Sequence, residues 1–202
     1  MKQLFLLCCF LASLASFSQN DEAYVAQLTS QFTQKLSERG IDQYFWTKHY
    51  CNGSIEMFQI DGKMCSSKGT YYEVYVFWEE EGLPMVKKID NCGLYHSLEL
   101  ANNEVLYYAF ENLDRLASEE VKHYKSETYT GTPELRKKVQ PCFRSFYGTD
   151  GTTTFESTFN LFDISNDSDG KNLNYEYNHS LVLVNLNAQI ESLLPTLIFT
   201  RQ

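Results

Sequence analysis

Two glycine-containing dipeptides in the first half of the chain constrain it to antiparallel β-hairpins. Asn52-Gly53 and Asp61-Gly62 are strong hairpin signals, because both central residues of the favoured two-residue turn adopt a positive φ. They delimit three predicted strands, near residues 44–51, 54–60 and 63–67. A chain that turns at such short intervals is expected to form a meander, in which each strand pairs with the next.

The segment Thr70–Glu79 is rich in β-branched and aromatic residues, as strands are. Both of its faces carry apolar or aromatic side chains, so it is expected to be a central strand. A turn at Glu81-Gly82 is predicted to return the chain over Met85–Asn91. Further strands are predicted near 143–147, 153–163, 173–178, 180–186 and 196–200.

Residues 21–39 show the periodicity of an amphipathic helix, with apolar residues at three- and four-residue steps. The apolar stripe consists of Val25, Leu28, Phe32 and Leu36. A second helix is predicted over about 102–123, and a short one near 188–194. A one-sided stripe must pack on another element, and a sheet is the natural partner. The sequence therefore predicts an α+β fold, with an antiparallel meander sheet of about seven or more strands and two amphipathic helices packed on it.

The N-terminus has the order of a cleavable signal peptide: a positive side chain at Lys2, the apolar run Leu4–Ala15, then small residues. The run is shorter than the roughly 20 residues of a membrane span. Cleavage after Ser18 is favoured, with Ala15 as the alternative. Residues 1–18 are expected to be removed, leaving 19–202 as one exported domain, periplasmic or secreted and without a membrane span. Removing Lys2 changes the formal net charge from −9 to −10, which argues against nucleic acid as a partner.

Four cysteines remain after cleavage, and an even number in an exported chain predicts disulfides. They are Cys51, Cys65, Cys92 and Cys142. The favoured pairing is Cys51–Cys65 with Cys92–Cys142. The hairpin turns conflict with it, because they hold Cys51 and Cys65 about 10 Å apart laterally, whereas a disulfide needs Cα atoms within about 7 Å. Either the Asn52-Gly53 segment is a wider loop or Cys51 has another partner.

Aromatic residues make up 15% of the chain, and several cluster on and near the predicted central strand. Tyrosine-rich sheet surfaces bind sugars or extended peptides, since tyrosine offers contact area and a hydroxyl at low entropic cost. A bulky sheet core is the alternative interpretation. The aromatic residues among the candidates are expected to form one exposed patch. The candidate ligand-binding residues are Trp46, Tyr71, Glu73, Tyr75 and Phe77.

The strand register set by a turn at Glu81-Gly82 also suggests an alternative, catalytic function. A symmetric turn there places Glu73 opposite Asp90, and two neighbouring carboxylates on an aromatic face can share a proton, as acid/base pairs do. Lys88 lies diagonally next to Glu73 and can neutralise it instead. This register motivates the hypothesis of an exported hydrolase with a dispersed carboxylate site.

The segment Ser165–Glu176 resembles the calcium loop of EF-hand proteins. Asp167 and Asp169 match two ligand positions of that loop, and Gly170 matches its sharp turn. Glu176 matches the position of the bidentate ligand. Ser165 departs from the family at the first ligand and Asn172 at the apolar eighth position, and predicted strands rather than helices flank the loop. The resemblance implies weak calcium binding, with a solvated hairpin loop as the alternative, and no other cofactor is expected.

Sequence motifs for established chemistries are absent: no metal-binding histidine pair, nucleophile elbow, phosphate loop or dinucleotide fingerprint occurs. The charge run Lys87-Lys88 is interpreted as a solvated face. The sequence therefore predicts a non-catalytic exported domain that binds a protein, peptide or glycan through an aromatic sheet face.

Overall fold

An antiparallel sheet forms the centre of the protein in the computed structural model, which describes residues 22–60, 62–127, 142–166 and 170–202. The predicted signal peptide lies outside these ranges. Within them the main sheet has seven strands, β1 (Gln43–Cys51), β4 (Tyr72–Glu80), β5 (Leu83–Asp90), β6 (Gly93–Leu94), β7 (Leu98–Glu99), β8 (Cys142–Asp150) and β9 (Thr154–Asn160). The remaining strands, β2 (Met57–Ile60) and β3 (Lys63–Ser66), form a separate two-stranded sheet. The predicted antiparallel α+β class is confirmed.

The strand order is β6-β5-β4-β1-β8-β9, with β7 also paired to β5. The simple meander was wrong at Asn52-Gly53, because β1 does not pair with the segment that follows it. The Ser54 N–H donates to the Cys51 carbonyl at 3.0 Å, and the Tyr71 N–H donates to the Ser54 carbonyl at 2.8 Å. The chain thus leaves the main sheet for the β2–β3 hairpin and returns as β4 alongside β1, which lies between β4 and β8.

The turn between β4 and β5 follows the sequence prediction. Glu80 pairs with Leu83, and the turn residues Glu81 and Gly82 have φ values of 54° and 79°. Both values are positive, as the favoured two-residue hairpin turn requires. The register that follows places Glu73 opposite Asp90, so the predicted cross-strand carboxylate pair is confirmed.

Helix α1 (Glu22–Glu38) packs on one face of the sheet, against β4 and β5. This helix matches the predicted span 21–39. Val25 and Leu36 are buried against Val76 and Trp78, because the three- and four-residue spacing turns one stripe of the helix toward the sheet. We call this side of the sheet the α1 face.

The opposite side, the α5 face, is covered by α2 (Glu104–Glu111), α3 (Leu113–Ser118) and α5 (Val182–Leu193). The single helix predicted over 102–123 is therefore two short helices. They meet at Asn112, whose backbone leaves the helical region with φ −114° and ψ 19°. Its side-chain amide donates to the Tyr108 carbonyl at 2.9 Å, so it caps the first helix instead of continuing it. None of the described helices is long and apolar enough to cross a membrane.

The strands predicted over 173–178 and 180–186 were wrong. These residues form the short helix α4 (Tyr175–His179) and the first part of α5. Leu183, Leu186 and Ile190 are fully buried at helical spacing, but a run of leucine and valine has no period that separates a buried strand from a buried helix. The last strand predicted over 196–200 was wrong: Thr196 ends a 3₁₀ helix (Leu194–Thr196), and 197–200 belong to no described strand. An isolated bridge joins Tyr95 to Arg201, just beyond this segment.

The disulfides are Cys51–Cys142 and Cys65–Cys92, with Cα–Cα distances of 3.9 and 6.0 Å. The presence of two disulfides was predicted, but the favoured pairing was wrong. Cys51 lies directly opposite Cys142 in the β1–β8 ladder, whereas Cys65 lies in the separate hairpin opposite Phe58. The first disulfide joins two strands of the main sheet, and the second ties the hairpin to the turn after β5.

Candidate functional site

The five predicted ligand-binding residues lie on opposite faces of the sheet. Trp46 pairs with Val76 and shares the α1 face. Glu73, Tyr75 and Phe77 alternate with Val76 along β4 and so belong to the α5 face, where Phe77 is fully buried and Tyr75 nearly so. The expected contiguous exposed patch therefore does not form, and two separate regions carry the candidate residues.

The first region is a row of aromatic side chains on the α1 face, which we call the aromatic shelf. Helix α1 packs against β4, β5 and β6, and the shelf lies beside it on β1 and β8. Its members are Tyr44, Trp46 and Tyr50 of β1 with Phe143 and Tyr147 of β8, all half-buried.

Ring contacts across the β1–β8 ladder order the aromatic shelf. Trp46 stacks on Tyr147 with centroids 5.7 Å apart and planes inclined by 19°. Tyr50 stacks on Phe143 at 5.3 Å and 15°. Farther out, β9 points Thr154, Glu156 and Thr158 to solvent on this side of the sheet. The aromatic shelf thus lies between α1 and the solvent-exposed surface of β9.

A groove of about 280 Å³ runs between α1 and the aromatic shelf. Its helical wall carries the hydroxyl groups of Thr29, Ser30 and Thr33, and its floor carries Trp46 and Tyr147. The one ionised residue in its lining, Lys48, is paired with Glu22 and lies 5.2 Å from the centre of the Tyr50 ring. The groove therefore combines aromatic rings and hydroxyl groups with no unpaired charge.

The second region is a polar cluster on the α5 face, centred on the fully buried Asp90. Arg201 donates to both carboxylate oxygens, at 2.9 and 2.7 Å. The hydroxyls of Tyr71 and Tyr95 each donate at 2.8 Å, and the Cys92 N–H donates at 2.7 Å. These donors compensate the buried negative charge, as a carboxylate shielded from water requires.

Glu73, opposite Asp90, has its own cation, because Lys88 contacts its carboxylate directly. The Tyr71 hydroxyl also lies 3.3 Å from Glu73. Burial raises the pKa of both Tyr71 and Tyr75, and the negative charge of Glu73 raises each further. The two tyrosines thus stay protonated at neutral pH and act as hydrogen-bond donors. Each carboxylate of the Glu73–Asp90 pair thus contacts a cation of its own, Lys88 and Arg201 respectively.

A cleft of about 300 Å³ opens beside this cluster, where the end of α5 meets β1 and β4. Glu73, Tyr71 and Tyr75 line it together with His49 and Glu191. Burial, with the positive charges of Arg144 and Lys88, lowers the pKa of His49 to about 3. His49 is therefore neutral at pH 7, and among the described residues its Nε2 has no hydrogen-bond partner.

The cleft brings a histidine and two carboxylates together, as the hydrolase hypothesis requires. Their pairing argues against that use. Arg144 donates to Glu191 at 2.7 Å, Lys88 holds Glu73, and His49 is too weak a base to take up a proton near neutral pH. The cleft is better suited to structural ion pairing than to acid/base catalysis.

Two of the three candidate calcium ligands, Asp167 and Asp169, lie outside the described residues. Glu176 lies exposed in α4. Asn172, at the position where the EF-hand family is apolar, is buried, and its amide donates to the Asp163 carbonyl at 2.9 Å. In the described part of the chain no three histidine, cysteine or acidic side chains are grouped to hold a metal ion.

Several residues of these regions were not anticipated as site residues, among them Arg144, Tyr147 and Glu191. Two of them come from β8, whose partner β1 precedes it by about a hundred residues. The alternation of Phe143, Ser145 and Tyr147 was the available signal, because it marks one face of a strand. Nothing in the sequence indicated which strand that face would join.

No protein-family model, no curated protein and no solved structure matches this chain.

Proposed function

We propose that this protein is an exported binding domain that takes an uncharged carbohydrate on its aromatic shelf. The observation that carries the proposal is the stacked pair of Trp46 and Tyr147, half-buried in a groove beside an open sheet surface. A monomeric protein gains stability by burying such rings. Two aromatic rings that stay partly exposed next to a groove, as those of Trp46 and Tyr147 do, are suited to contact a ligand.

The chemistry of the groove favours a saccharide over a charged or wholly apolar ligand. Sugar rings present C–H groups that pack on aromatic faces and hydroxyls that hydrogen-bond, and tyrosine and tryptophan serve both needs. Ser30 and Thr33 supply polar groups on the helical wall. Because Lys48 is already paired with Glu22, an anionic ligand gains little there.

Export is the second half of the proposal. The two disulfides suit a protein that folds in an oxidising compartment. The N-terminal sequence has the order of a signal peptide. An extracytoplasmic domain also meets polysaccharide surfaces, which accords with the ligand class.

Trp46 provides the test, because the other tryptophan, Trp78, is only 1% exposed. The mature protein is titrated with a panel of neutral oligosaccharides while tryptophan fluorescence and calorimetric heat are followed. Binding is expected to change the emission of Trp46. Trp46→Ala and Tyr147→Ala are each expected to weaken binding by tenfold or more.

Tyr107→Ala is the matched control, since Tyr107 is a 59% exposed aromatic residue on α2, on the other side of the sheet. It is expected to bind as the unaltered protein does. The proposal is overturned if no neutral oligosaccharide binds, or if the Trp46 and Tyr147 variants bind as tightly as the control.

A further inference from the structure

Lys87 is a buried cation for which the described residues provide no counter-ion. It is 3% exposed, so the expectation that Lys87-Lys88 forms a solvated face was wrong for this residue. Its ammonium group donates to the Tyr95 carbonyl at 2.5 Å and lies 5.1 Å from the centre of the Phe32 ring. Among the described residues no carboxylate lies within ion-pair distance of it.

Such an arrangement is costly, because a charge removed from water is normally paired or hydrogen-bonded in full. An ammonium group has three donors, and one carbonyl and one ring satisfy it only in part. Burial, and the nearby positive charge of Lys35, lower the pKa of Lys87. The neighbouring residue shows the usual solution, since Lys88 is paired with Glu73.

Lys87 forms part of the wall of a cavity of about 580 Å³ between α1 and β4–β6. Phe32, Trp78 and Leu94 make much of the wall apolar. This volume falls in the range of small-molecule sites, which are mostly apolar with a few placed polar groups. The cavity lies on the α1 face but on the far side of the helix from the aromatic shelf.

The other charged side chains around the cavity leave Lys87 without an ion partner. Arg39 is paired with Glu80, whose second oxygen accepts from the Trp78 indole at 3.2 Å. The side chain of Glu38 accepts a hydrogen bond from Gln34 at 3.0 Å. Lys35 adds a further positive charge to the lining. Counted by side chains alone, the lining carries three cations, Lys35, Arg39 and Lys87, and two carboxylates, Glu38 and Glu80.

We propose that this cavity binds a small organic carboxylate, with the carboxylate on Lys87 and the apolar body against Phe32 and Leu94. A bound carboxylate supplies the counter-charge and the hydrogen-bond acceptors that Lys87 lacks within the protein. An organic acid fits better than inorganic phosphate, because the apolar wall gains from contact with a hydrocarbon body.

The test uses benzoate as the probe, with benzyl alcohol as its neutral counterpart and inorganic phosphate as the bare anion. Binding to the whole mature protein is followed by chemical-shift changes and by the rise in melting temperature that a ligand of the folded state produces. Benzoate is expected to bind at least tenfold more tightly than either of the others. The proposal is overturned if benzyl alcohol or phosphate binds as well as benzoate.

Lys87→Met separates binding from structure. It keeps the length of the side chain and removes the buried charge, so the variant is expected to melt no lower than the unaltered protein while losing benzoate binding at least tenfold. Lys63→Met, at an exposed lysine of β3, is the control and is expected to bind benzoate normally. Unchanged benzoate affinity in Lys87→Met overturns the assignment. If that variant fails to fold, the comparison of the three probes on the unaltered protein decides.

Discussion

Arg201 forms a two-point ion pair with Asp90 across 111 residues of sequence, and the carboxylate it holds is wholly buried. The same tail places Phe199 5.8 Å from the ring of Tyr75 and 6.1 Å from that of Tyr95. The ion pair therefore fixes the last residues of the chain over the polar end of the α5 face. It closes this end of the sheet over Asp90.

Removing the cation should be strongly destabilising. Arg201→Ala leaves Asp90 as a buried charge without its ion partner, which typically costs about 3–5 kcal/mol of unfolding free energy. Urea unfolding measures the loss. Arg39→Ala is the control, because the side chains of the Arg39–Glu80 pair are 44% and 32% exposed and ion pairs at the surface contribute about 1 kcal/mol or less. Equal losses in the two variants would contradict the role given to Arg201.

His49 should make stability depend on pH below neutrality. Its pKa is about 3 in the folded protein and about 6.5 in an unfolded chain, so the unfolded state binds the extra proton as pH falls between these values. The contribution of neutral His49 to the free energy of unfolding is present above pH 6.5. It is lost progressively toward pH 3, with a slope of at most about 1.4 kcal/mol per pH unit. His49→Gln removes the titrating group. Its unfolding free energy, measured from pH 7 to pH 4, should fall less steeply than that of the unaltered protein, and parallel slopes would refute the assignment.

Local patterns in the sequence were sufficient for part of the fold. The helix over 21–39, the β4–β5 hairpin and the Glu73–Asp90 register each follow from residues close together in the chain. Periodicity and turn chemistry act over that range.

The candidate sites depend on contacts that local patterns do not encode. Trp46 contacts Tyr147, and Cys51 contacts Cys142, only because β8 pairs with β1. Local sequence patterns do not indicate which strand β8 will pair with. Lys87 was misjudged for a related reason. Its side of β5 lies under α1, and a charge run in sequence does not reveal which of its members a helix will cover.

The two disulfides should differ in their contribution to stability. Cys51–Cys142 closes a span of 91 residues and Cys65–Cys92 one of 27. Chain-entropy arguments give about 4–5 kcal/mol for the first and about 3–4 kcal/mol for the second. Serine replacement of each pair, followed by denaturant unfolding, measures both. Peptide mapping of the unreduced protein checks the pairing itself, and a peptide joining Cys51 to Cys65 would contradict it.

Gly148 should be intolerant of any side chain, for a reason of packing and not of backbone conformation. A Cβ built there lies 2.2 Å from a ring carbon of Phe155, its partner across the β8–β9 ladder, and Phe155 is held in the core at 2% exposure. The ring must shift within a close-packed layer, so Gly148→Ala is expected to cost about 1–3 kcal/mol. Gly69→Ala is the matched control, because nothing lies within 4 Å of its Cβ position, and the loss of unfolded-state freedom should leave it neutral or up to about 1 kcal/mol more stable. Thermal and urea unfolding should therefore show that the stabilities of the two variants change in opposite directions or differ by at least the packing cost. A Gly148→Ala protein as stable as the control would show that Phe155 is free to move.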